Sequence, residues 1–158
     1  MSDIDKISKH IAEVVARCGR DKVRNQKTNG DFQYQKTLPE DFRRNVYETK
    51  KEASIRKEWF KKNEIVQKVK EFFANKGMSI VYVDIVGSTA YEYPKANSDI
   101  DLIVVYDDSE VKMSYCDDVL PKLDGWNKEL ETILPRIHQD ILLSIDIRFT
   151  CVSDYIKK

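Results

Sequence analysis

Two small residues and two acids, set at a fixed interval, carry the chemistry this sequence offers. Gly87-Ser88 closes an apolar run, Ile80 to Val86, and after ten intervening residues Asp99-Ile100-Asp101 opens a second, Leu102 to Val105. Short apolar runs bounded by small and polar residues read as buried strands. Side chains alternate along a strand, so Asp99 and Asp101 share one face while Ile100 and Leu102 turn to the other. Two carboxylates roughly 7 Å apart on one strand face repel, and packing alone gives no reason to place them at the mouth of an apolar run. A divalent cation resolves the conflict, because Mg²⁺ takes hard oxygen ligands and is held by one or two carboxylates together with substrate phosphates. Gly87 would let a phosphate chain approach the backbone, and the free N–H groups of a helical turn opened by Ser88 would hold its oxygens.

Gly87-Ser88 followed by Asp99-x-Asp101 resembles the signature of the polymerase-beta-type nucleotidyltransferase superfamily, whose members move a nucleoside monophosphate from an NTP to an acceptor. The superfamily's third carboxylate lies on a later strand. Leu143-Ser144-Ile145-Asp146-Ile147-Arg148-Phe149 offers it, with Leu143, Ile145, Ile147 and Phe149 on one face and Asp146 on the other. The resemblance covers residues 79 to 150. It implies an α+β fold, a small mixed β-sheet flanked by helices, and two Mg²⁺ ions (or Mn²⁺) held by Asp99, Asp101 and Asp146, with Asp146 beside the acceptor hydroxyl. It also implies an NTP substrate, ATP first, held by Gly87, Ser88 and a cationic clamp. Many relatives carry an arginine soon after Gly-Ser. Here that segment reads Thr89-Ala90-Tyr91-Glu92-Tyr93, so Lys95 or Arg148 takes the role, or triphosphate binding is weak.

The elements that must position these residues follow from periodicity. Residues 1–77 read as an N-terminal helical region and 78–158 as the catalytic core. Ile4, Ile7, Ile11, Val14, Val15 and Cys18 recur at helical spacing, and Gly19 ends that helix. Arg20 to Leu38 is a polar loop. Pro39-Glu40-Asp41 opens a second helical stretch whose apolar residues include Val46, Ile55, Trp59, Phe60, Val69, Phe72 and Phe73. It is too long for one helix, so a break is expected near Lys61-Lys62-Asn63, with Asn63 capping a further helix that stops at Gly77. Strands are expected over Met78 to Val86 and Ile141 to Val152, and a helix capped by Asp117-Asp118 and packing through Val119, Leu120, Leu123, Trp126, Leu130, Ile133 and Leu134. Asp84, inside the first strand, reads as a buried partner for a Lys or Arg or as a further acid on the face of Asp99, Asp101 and Asp146, and Asp107-Asp108 as a solvated turn.

Bulk properties narrow the class. With 41% hydrophobic and 34% charged residues, and no run near the ~20 apolar residues of a membrane span, a soluble cytoplasmic protein with a real core is expected. The N-terminus lacks the basic and apolar segments of a secretory signal. Three cysteines, Cys18, Cys116 and Cys151, fit reduced thiols rather than a disulfide framework. Net charge is zero, yet residues 1–78 hold 19 Lys and Arg against 12 Asp and Glu (+7) and residues 79–158 hold 8 against 15 (−7). Such a basic half attracts a polyanion such as RNA or neutralises the acidic half across their interface.

Few residues follow the third strand, and by resemblance this matches the minimal nucleotidyltransferases, including the antitoxin type that adenylylates a partner protein. The expected activity is therefore Mg²⁺-dependent transfer to a hydroxyl on a protein or small molecule. RNA is the alternative acceptor, and a non-catalytic binding or scaffold subunit is the alternative of a different class.

Overall fold

A computed structural model describes residues 5–16, 46–87, 94, 96–109 and 113–153. The polar segment Arg20 to Leu38 and the helix start at Pro39 lie outside them. Helix α1 spans 5–16. Then come α2 (Val46–Lys62), α3 (Ile65–Ala74), β1 (Ile80–Val86), β2 (Ile100–Tyr106), a wide π-type turn (Tyr115–Val119), α4 (Leu120–Ile133) and β3 (Ile145–Cys151). The strands form one mixed sheet in the order β1-β2-β3, with β1 antiparallel and β3 parallel to β2. The fold is α+β, as expected.

The break between α2 and α3 falls where the sequence placed it, but by a different device. Asn63 does not cap α3. Its Nδ2 donates to the Trp59 carbonyl at 3.0 Å, closing the end of α2, and Glu64 reverses the chain in a left-handed conformation at φ 52°. At the far end of α3, Gly77 N–H donates to Ala74 O and Met78 N–H to Phe73 O, both at 3.0 Å. With Gly77 at φ 80°, this is the Schellman arrangement that the glycine announced.

The two faces of the sheet have different covers. Ile80, Val83, Ile85, Leu102, Val104, Ile147 and Phe149 face α2, α3 and α4, and their core centres on Phe73. The Phe73 ring meets Trp126 edge-on at 5.4 Å and Phe149 at 5.2 Å, separations at which aromatic pairs add to simple burial. On the other face Ile11 and Val14 of α1 pack against Val81, Ile103, Val105 and Val152. A bulge between Ile80 and Tyr82 sets Val81 on this second face.

Three expectations for the second half change. The cap before α4 is Ser114, whose hydroxyl accepts from Asp117 N–H at 3.4 Å while Asp118 Oδ2 accepts from Ser114 N–H at 2.8 Å. The buried line of α4 runs through Trp126 and Leu130 and continues to Leu134 just past its end, at four-residue intervals, and leaves Leu120 and Ile133 on its flanks, about half exposed. Nor are Asp107 and Asp108 alike. Asp107 Oδ1 accepts Ser109 N–H at 2.9 Å, an ordinary turn, whereas Asp108 accepts from Ser153 N at 3.2 Å and Ser153 Oγ at 2.6 Å and ties the end of β2 to the chain leaving β3. Among the described residues no helix is long and apolar enough to cross a membrane.

Candidate functional site

Strand register lays the sheet face shared with α1 out in rows. The end row is Val86, Asp101 and Asp146, paired strand to strand, and the next is Asp84, Ile103 and Arg148. The cluster that α1 covers takes in Ile103 and Val105, beyond the end row, and Val86 of the end row packs against it. Asp101 and Asp146 are thus cross-strand neighbours with side chains on one face, and Asp99 stands just before β2. Asp99, Asp146 and Arg148 are exposed, and Asp101 is half-buried.

The charges interact across this row. Burial pushes the Asp101 carboxyl above its ordinary value; Arg148 pulls it back, Asp146 and Asp99 push it up further, and Arg56 opposes them. A carboxylate crowded by two others in a partly dry setting favours either a proton or a cation. Gly87 supplies the space for Asp101. At φ 67° it occupies the left-handed region, and a Cβ added there would collide with Asp101 Oδ2 and lie 2.8 Å from Asp101 Cγ.

Of the residues chosen from sequence, the structure brings Gly87, Asp101, Asp146 and Arg148 to one end of the sheet, with Asp99 in electrostatic reach. Ser88 and Lys95 lie outside the described residues. Asp84 shares the face, but its partners are not cationic. Its Oδ2 accepts the Tyr82 hydroxyl at 2.7 Å and its Oδ1 the Ile85 N–H at 2.8 Å, which the alternation of β1 makes local. Among the described residues no three His, Cys, Asp or Glu side chains are gathered closely enough to cage a metal ion. A shallow cavity of about 390 Å³ lined by Phe60, Lys61, Glu64, Val66 and Gln67 shares no residue with the carboxylate row.

Sequence reading passed over Arg56. Its side chain is fully buried, and its guanidinium donates from Nη1 to Asp99 O at 3.1 Å and from Nη2 to Ser98 O at 2.7 Å and Ala96 O at 3.4 Å. Nε donates to Glu52 Oε1 at 3.1 Å, and His138 Nε2 lies 2.6 Å from that same oxygen. The buried line of α2 is Thr49, Glu52, Ala53, Arg56 and Trp59, while Ile55 is only half-buried. The available signal was a Glu-x-x-x-Arg pair three residues ahead of Trp59, on the stripe that helical spacing directs inward.

A family model described as nucleotidyltransferase domain matches residues 62–158. No curated protein and no solved structure matches the chain.

Proposed function

The chain belongs to the nucleotidyltransferase domain family, and from that premise we propose that it transfers a nucleoside monophosphate from an NTP, ATP first, to an acceptor hydroxyl. The observation that supports this reading best is the pairing of Asp101 with Asp146 across β2 and β3, beside a glycine that leaves room for the carboxylate. The donor set suits a hard divalent cation: it is all carboxylate oxygen, and one member is half-buried and repelled by its neighbours. Asp99, Asp101 and Asp146 would hold Mg²⁺, or Mn²⁺ in its place. Bound there, the metal would neutralise charge developing on the α-phosphoryl oxygens and the leaving pyrophosphate.

The chain's own residues do the rest. Gly87 admits the triphosphate close to the backbone, and Ser88, Lys95 and Arg148 bind its oxygens. The acceptor oxygen attacks the α-phosphorus, the bond to the bridging oxygen of the β-phosphate breaks, and pyrophosphate leaves with that electron pair. The hydroxyl proton passes to the Asp146 carboxylate. Holding the two reactants in line accounts for much of the rate, since orientation replaces a bimolecular encounter.

We place the acceptor hydroxyl on a protein or small molecule. RNA is the runner-up, marked by steep weakening of binding with salt. The lack of a closed three-residue metal cage among the described residues favours one other reading, a domain of this family kept as a binding module. Incubation with α-labelled NTPs and Mn²⁺, alone and with cell extract, separates them. Transfer that is lost in Asp101→Asn and Asp146→Asn supports the enzyme; no transfer, with no stabilisation on heating by Mn²⁺ and NTP together, supports the module.

A further inference from the structure

The family match begins at residue 62, and α2 lies almost wholly ahead of it. Yet α2 reaches the carboxylate row through Arg56. The peptide joining Asp99 to Ile100, between the two acids, is held on both sides. Its carbonyl oxygen accepts from Arg56 Nη1 at 3.1 Å, and its N–H donates to Ser144 O at 2.8 Å. Fixing both ends of a peptide dipole fixes the dihedrals on either side, and these set where Asp99 and Asp101 point. The Ser98 and Ala96 carbonyls add to the grip.

We infer that Arg56 is a positioning residue that presets the turn carrying Asp99 and Asp101, held in place by Glu52 and His138. The inference rests on the nucleotidyl-transfer reading for its purpose but not for its geometry. A fully buried guanidinium is a poor device for stability alone, because desolvation offsets much of its attraction to Glu52. It is a good device for geometry, since a planar fork serves one carboxylate and three carbonyls at fixed angles, which a lysine ammonium does not. Glu52 is the hub. Its Oε1 meets both Arg56 and His138, and His138 lies in the connection between α4 and β3. The network therefore joins the helix ahead of the family match to both segments that lead into the carboxylate strands.

The test compares wild type, Arg56→Met, Arg56→Lys and His138→Gln in the full chain. Amide hydrogen exchange is read at 98–101 and at the core residues Phe73 and Leu130. Mn²⁺ affinity is read by electron paramagnetic resonance with a non-hydrolysable ATP analogue. Arg56→Met is expected to speed exchange at 98–101 about tenfold or more with Phe73 and Leu130 unchanged, and to weaken Mn²⁺ about 10- to 100-fold, as loss of a residue behind metal ligands does. Arg56→Lys, which keeps charge and length, carries the comparison if the methionine variant fails to fold, and is expected to show the same pattern. His138→Gln should move both readouts in the same direction by less. Unchanged exchange at 98–101 overturns the inference, as does uniform acceleration that includes Phe73 and Leu130. A wild type that binds no Mn²⁺ defeats the nucleotidyl-transfer reading, and the exchange pattern still decides whether Arg56 sets the turn.

Discussion

Gly87 and Asp101 occupy one another's space: the position a Gly87 Cβ would take lies 2.9 Å from Asp101 Cβ and closer still to its carboxylate. The glycine is required twice, for its left-handed φ of 67° and for the room it leaves. Gly87→Ala is expected to cost about 1–2 kcal/mol from the backbone conformation alone, with the collision in addition. Urea unfolding measures that loss. Nucleotidyl transfer should fall by about a hundredfold or more, as when one preorganised group is displaced from a reacting centre.

Asp101→Asn should make the metal-free protein more stable while abolishing transfer. Burial first, and then repulsion from Asp146 and Asp99, hold the Asp101 carboxyl above its ordinary value of 3.8 against the pull of Arg148 and Arg56. A raised value means that the folded chain holds this proton more tightly than the unfolded one. Asp101 therefore contributes stability in full below pH 3.8, and loses it as pH rises through the folded value. Denaturation midpoints across that window are expected to decline for wild type relative to the asparagine variant. At neutral pH, Mn²⁺ with NTP should raise the melting temperature of wild type and leave the variant unmoved.

The strands were legible because their signal is local, although β3 begins at Ile145 and not at Ile141. Alternation in Ile145 to Phe149 separates Asp146 from the core, and apolar runs bound β1 and β2. The Gly77 stop was legible for the same reason, since a positive φ selects glycine. Arg56 was not. A Glu and an Arg four apart on a charged helix read as a solvated pair, and only contact with a turn some 40 residues on makes them core. Asn63 misled because an asparagine side chain serves a helix end on either side of it, and which side it takes depends on how the chain reverses at Glu64. The placement of α1 over the site's own sheet face was equally hidden: an amphipathic stripe says that a face is buried, not against what.

At the opposite end of β2, Asp108 should make stability depend on acid in the reverse sense. Burial works to raise its carboxyl, but the hydrogen bonds from the Ser153 hydroxyl and N–H, with one from Cys151, outweigh it and hold the group below its ordinary 3.8. A depressed value contributes stability above pH 3.8 that is lost as pH falls through the folded value. Ser153→Ala is expected to remove part of this dependence. Acid titrations of wild type and variant, followed by circular dichroism, should converge at low pH and separate above it.

Among the described residues the strand that carries Asp146 is an edge, and α4 covers it. On that edge, Ile147 N–H donates to Asn127 Oδ1 and Ile145 N–H to Glu131 Oε1, both at 3.0 Å. The two acceptors are four residues apart on α4, one helical turn, and the two amides are two residues apart on β3, so the spacings of helix and strand match. These bonds flank Asp146 on both sides and occupy amides that would otherwise invite another strand. Asn127→Ala and Glu131→Ala are each expected to cost about 1 kcal/mol and to speed exchange at the amide each one serves, Ile147 or Ile145. Asn127→Asp, which keeps the acceptor, should preserve protection at Ile147. Because β3 remains in register with β2 through the whole ladder from Ile100↔Ile145 to Tyr106↔Cys151, transfer should fall less than about tenfold in the single variants, well short of the loss when Asp146 itself is changed.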